Sequence, residues 1–109
     1  MKLILETQSA LRIRMTQSEF LKLEAEKFLV NTFHMLGDVK FQVKVDSPEL
    51  MEQKLLRLNF SEPKNAYEVR IAPLGMEMLR KPSKSGIEAT IETNRGTIHL
   101  GVEVDLKHH

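Results

Sequence analysis

Residues 11–20, LRIRMTQSEF, constrain this chain more than any other stretch. Leu11, Ile13 and Met15 alternate with Arg12 and Arg14, the period of a strand with one apolar and one charged face. Within two residues the pattern becomes a helix start. Thr16 is placed to accept a hydrogen bond from the backbone N–H of Glu19, and the Glu19 carboxylate to take the N–H of residue 16, the reciprocal pairing of a capping box. A two-faced strand running straight into a capped helix predicts a helix laid on a sheet.

The helix is expected over 17–27, with Phe20, Leu21, Leu23, Ala25 and Phe28 toward one side and Lys22, Glu24, Glu26 and Lys27 toward the other. Before it, 3–5 and 10–15 form a hairpin through the polar residues 6–9. After it, 29–35 and 39–45 flank Leu36-Gly37-Asp38, and the second of these alternates most cleanly, Val39, Phe41, Val43 and Val45 against Lys40, Gln42 and Lys44. Residues 46–49 break the pattern as a loop, with Ser47 and Pro48 suited to one helical turn. Strands at 55–60 and 67–72 are joined by the polar segment 61–65. Pro73 opens a second helix over 74–80, which Pro82 ends. The last hairpin, 87–93 and 97–105, turns at Asn94-Arg95-Gly96. Hairpin, helix, hairpin is thus written twice, joined near 46–53, with no residue-level repeat visible between the halves. The expected fold class is α+β: a curved, mainly antiparallel sheet or partly open barrel of about eight strands with two helices.

A chain of 109 residues, 41% hydrophobic, suffices for one core, so a single domain is expected over 1–107. His108 and His109 form a tail, native or left from a purification tag, and belong to no site. The absence of cysteine excludes disulfides and thiolate chemistry and suits a reducing compartment. Sixteen Lys and Arg against fifteen Asp and Glu leave a formal charge of +1, which with few aromatics argues against nucleic acid as a partner. The apolar run at 3–5 is too short for a signal peptide or a membrane span, which makes the cytoplasm the expected location by elimination.

Function, if it lies in the sheet, lies on its charged face. That face collects Arg12, Arg14, Lys40, Lys44, Arg57 and Arg70, with Glu68, Glu88, Glu92, Glu103 and Asp105. Two outcomes are open. In the first the face is wet, and opposite charges on neighbouring strands add a few tenths of a kcal/mol per pair. In the second the sheet closes, the six cations line a cleft that binds a small anion, and Glu103 and Asp105, at i and i+2, are weak candidates for a metal. No catalytic residue and no cofactor is assigned. His99 and His34 are lone strand histidines, Ser83 and Ser85 lack a nucleophile-elbow context, and residues 81–86 miss phosphate-loop spacing. Met35, Met76 and Met78 read as core filler.

Ser9 to Glu19, spaced S-x-L-R-x-R-x-T-x-S-E, resembles the N-terminal signature of a family of small bacterial proteins of unknown function. Residues 56–73 resemble its strand, acidic turn, strand, proline segment, and 100–107, LGVEVDLK, are similar to its closing L-L-V-E-K-D-F. Members carry a cysteine after the closing Asp-Phe and an acidic tail, where this chain has Leu106, Lys107 and the histidines. The resemblance implies a bacterial origin and supports the element placement; it implies no activity, substrate or site residue. Two function classes follow: a non-enzymatic binding or interaction domain, with a protein partner or a homodimer, and a phosphate binder or hydrolase similar to the triphosphate-tunnel enzymes. The opening strand of alternating glutamates of the latter is missing, since 3–8 holds Glu6 alone.

Overall fold

A computed structural model describes residues 1–33, 39–46, 54–61, 65–81, 86–93 and 96–105. The readings placed on Leu36-Gly37-Asp38, His34, Met35, Ser47, Pro48, Pro82, Ser83, Ser85, Asn94, Arg95 and the tail lie outside these residues. The first half contains β1 (Lys2–Thr7), β2 (Ala10–Met15), α1 (Gln17–Glu26), β3 (Phe28–Phe33) and β4 (Val39–Val45). The second contains β5 (Leu56–Ser61), β6 (Ala66–Ile71), α2 (Pro73–Arg80), β7 (Ile87–Thr93) and β8 (Gly96–Val104).

The α+β class with eight strands and two helices is what the alternation predicts. The strands divide into two sheets rather than one, in the orders β1-β2-β8-β7 and β3-β4-β6-β5. Each sheet is two antiparallel hairpins joined by a central parallel pair, β2 with β8 and β4 with β6. Exchanging the halves converts the first order into β5-β6-β4-β3, which is the second sheet. The chain is therefore duplicated in pairing as well as in element order, and each half gives one hairpin to each sheet.

The register identifies equivalent residues: Ala10 with Ala66, Ile13 with Val69, Arg14 with Arg70, and Val43 with Val102. A residue-level echo becomes visible at the ends of β4 and β8, where Val43-Lys44-Val45-Asp46 matches Val102-Glu103-Val104-Asp105. The aspartate N–H groups make the same bond in both halves, Asp46 to the Ile71 carbonyl at 2.9 Å and Asp105 to the Met15 carbonyl at 2.7 Å.

The capping box forms as its spacing predicts: Thr16 Oγ accepts from the Glu19 N–H at 3.1 Å and Glu19 Oε1 from the Thr16 N–H at 2.9 Å. Lys27, at φ 67°, ends α1 by donating to the Leu23 carbonyl at 2.8 Å. In α2 the cap position is Ala72, without a side-chain bond, and Pro73 at the first turn fixes φ instead. The helices bury equivalent positions, Phe20 and Leu23 in one, Met76 and Leu79 in the other. Glu24 and Arg80, also equivalent, are ion-paired, so the two helices meet at the same position of each. One core results, drawn from both sheets and both helices: Ile13, Met15, Leu23, Val43, Leu56, Val69, Ile71 and Val102 are all fully buried in it.

Two aromatic placements differ from expectation. Phe28 does not cover the sheet from α1; the left-handed Lys27 makes it the first strand residue, on the outer face with Val30, and it is 47% exposed. Phe60, which the alternation Leu56, Leu58, Phe60 would turn to the buried face, is 48% exposed at the end of β5, where it packs on Tyr67 with a centroid separation of 4.5 Å.

Candidate interaction surface

The parity that buries Ile13 and Met15 turns Arg12 and Arg14 to the other face of the first sheet, and the same holds for Lys44 and Arg70 on the second. The six cations do not share one surface. Arg12 and Arg14 lie on β2; Lys40, Lys44, Arg57 and Arg70 lie on β4, β5 and β6.

On the first sheet, Arg12 stands beside Gly101 of β8, and Gly101 beside Glu88 of β7. A Cβ at Gly101 would sit 3.1 Å from the Arg12 guanidinium carbon, so the arginine lies over the bare backbone and reaches Glu88 two strands away. Its Nε also meets Glu6 at 3.2 Å and Glu103 at 3.8 Å. Arg14 donates to Glu103, its neighbour in the register, at 3.4 Å. Glu103, offered by its spacing for a metal, is thus a nearly buried partner of two arginines. Among the described residues no group of three or more His, Asp or Glu side chains is arranged to hold a metal ion.

On the second sheet, Asp46 is 8% exposed and accepts from Arg57 at 2.8 and 3.2 Å and from Arg70 at 3.4 Å. Arg70 also bonds Glu68, which Lys44 approaches at 3.3 Å. The Arg70 hydrogen bond, with help from Lys44 and against the burial that would raise it, holds the Glu68 carboxyl below the usual glutamate range. Among the described residues Lys40, exposed at the start of β4, has no ion pair.

Asp46 stands outside the strand alternation, because it follows β4 rather than lying within it. Its signal was the shared Val-x-Val-Asp ending.

A depressed folded-state pKa contributes stability that is fully present above the unfolded value and is lost as pH falls through the folded one. Glu68 therefore makes the fold acid-sensitive below its ordinary value of 4.5. In urea melts between pH 6 and pH 3, Glu68→Gln is expected to flatten this loss and to lower stability at pH 6; an unchanged pH profile would remove Glu68 as its source.

Five of the six cations are thus matched with carboxylates of their own chain, an arrangement that holds strands together. A shallow groove of about 420 Å³ over Gly101 contains His99, whose Nδ1 lies 3.3 Å from Thr90 Oγ. Both side chains are on the wet face, and among the described residues no third group orients the pair as a nucleophile and base require.

The uncommitted surface lies at an edge. Each sheet ends in two edge strands. β1 carries Lys2, Glu6 and a register shift between Leu5 and Thr7; β5 carries Arg57; β7 carries Glu88 and Glu92. These are the charges and irregularities that keep edges from pairing with other chains. β3, Phe28-Leu29-Val30-Asn31-Thr32-Phe33, has no charge, proline, glycine or bulge, and its outer face exposes Phe28 and Val30 (44%).

No protein family, curated protein or solved structure matches this chain. No described helix is long and apolar enough to cross a membrane.

Proposed function

We propose that this chain is a non-enzymatic protein-interaction domain that receives a strand of its partner at β3. The carrying observation is an edge strand without charge, proline or bulge, on whose outer side no described residue pairs, whereas the other edge strands are charged or bulged. Strand addition takes its affinity from main-chain hydrogen bonds and its selectivity from alternate side chains, here those flanking Phe28 and Val30. The internal pairing of Arg12, Arg14, Lys44, Arg57 and Arg70 favours this over the phosphate-binding reading, in which those cations must be presented to a ligand. The cysteine-free composition suits the cytoplasm, and the likeness to the small bacterial family rests on sequence alone, that of residues 9–19, 56–73 and 100–107.

Short peptides selected from a random library, titrated into labelled protein and followed by amide NMR, test the reading. Alternating apolar peptides are expected to shift the amides of β3 first. Shifts confined to Arg12, Arg14 and their neighbours, or produced by tripolyphosphate with magnesium, would overturn it.

A further inference from the structure

We infer that the strand added at β3 is β3 of a second copy, paired antiparallel with Val30 facing Val30 and Phe28 facing Thr32. This rests on the reading of β3 as an open edge and adds the partner and the register.

The register follows from the ladder already formed. β3 pairs with β4 so that Phe28 opposes Lys44 and Leu29 opposes Val43. The Val45 N–H donates to the Lys27 carbonyl at 3.0 Å. In an antiparallel pair, hydrogen-bonded and non-bonded positions alternate. The Lys27 carbonyl and the backbone groups of Leu29 and Asn31 therefore point to β4, whereas Phe28, Val30 and Thr32 direct theirs to the free edge. Among the described residues nothing pairs with these groups.

A twofold dimer of antiparallel strands keeps the outer faces of both copies on the same side, because directly opposed residues share a face. Residue numbers facing each other must then have an even sum. With Val30 on the axis, Phe28, Val30 and Thr32 all become hydrogen-bonded positions, and every outward N–H and C=O of the three is used in both copies. The same arrangement sets Val30 against Val30 and Phe28 beside Thr32, so both exposed apolar side chains described on the strand gain a neighbour.

The choice of a second copy over another protein comes from charge. Self-pairing sets a strand against its own side chains, and like charges directly opposed are unfavourable. β7 would bring Glu88 or Glu92 toward its copies, and β5 would bring Arg57. β3 brings none. Lys44 and Lys40 of the facing copies stand three strand spacings apart, about 14 Å, beyond the reach of unscreened repulsion at physiological salt. The contact is small, so a reversible, concentration-dependent dimer is expected.

Sedimentation velocity over a hundredfold range of concentration should show monomer and dimer in exchange. Val30→Lys, which places two ammonium groups at the axis, should give monomer throughout with an unchanged melting temperature. Thr32→Pro should do the same, since the N–H it removes points away from β4. The chain has no cysteine, so Val30→Cys supplies a single thiol that should cross-link to its copy with a short thiol-to-thiol reagent, and Phe28→Cys, facing Thr32, should not. A dimer that survives Val30→Lys, or a protein monomeric at every concentration with no Val30→Cys cross-link, would overturn the inference. In the second case peptide-induced shifts at β3 would leave the strand-addition reading standing; their absence would remove both.

Discussion

Gly86→Ala is expected to unfold most of the protein at ambient temperature, or to lower its stability by at least about 4 kcal/mol, a loss of the size reserved for a few severe mechanisms. Gly86 precedes β7 at φ +65°, where an L side chain is strained, and a Cβ there would sit 2.1 Å from the Val102 carbonyl oxygen and 2.8 Å from Glu103 Cα. Both obstacles are backbone of a buried central strand, so no rotamer change relieves them. Relief requires moving the entry to β7 away from β8, which pulls Ile87, 2% exposed, from the core and shifts Glu88 from Arg12. Such a cost is comparable to the whole stability of an ordinary domain. Gly96 is the internal control. It also has a positive φ, +119°, but a Cβ there meets nothing within 4 Å. Gly96→Ala should cost only the backbone strain, about 1–3 kcal/mol. Urea melts of the two variants separate crowding from strain, and a Gly86→Ala protein within about 1 kcal/mol of the parent would refute the close approach.

Gly86 and Gly101 show where the sequence could not be read. Period-2 alternation states which face of a strand a side chain takes, and Ile13 and Val43, which it turns to the apolar face, are in the core. It carries no information on which strand is the neighbour. The division into two sheets and the parallel pairs β2 with β8 and β4 with β6 join residues tens of positions apart, and only the packed core selects them. The charged face was legible as residues but not as a site. That Arg12 crosses a glycine to Glu88, and that Asp46 holds Arg57 and Arg70, depends on those pairings. The duplication was legible in element order, and the shared Val-x-Val-Asp ending was in plain view without a reason to align it. For β3, the absence of charge could be read directly. Its position at an edge could not, and that position is what makes the absence matter.

Leu23→Ala and Leu79→Ala should each lower stability by about 2–5 kcal/mol, and the form of the transition carries more than the size. The two leucines hold equivalent places in α1 and α2, fully buried and 7% exposed, within a single apolar cluster that draws on both halves. Each half on its own would hold two hairpins that pair with nothing of their own, because β2 is hydrogen-bonded to β8 and β4 to β6. Neither half can therefore retain its structure when the other melts. A cavity at Leu23 should weaken the second half as much as the first, and one at Leu79 the reverse. Both variants are expected to unfold in one transition, with coincident far-ultraviolet circular dichroism and Tyr67 fluorescence. Hydrogen exchange should show equal loss of protection in β4 and β8 whichever leucine is removed. Two separated transitions, or protection lost in only the mutated half, would mean that the halves are independent units joined end to end, and the exchanged-hairpin pairing would then be wrong.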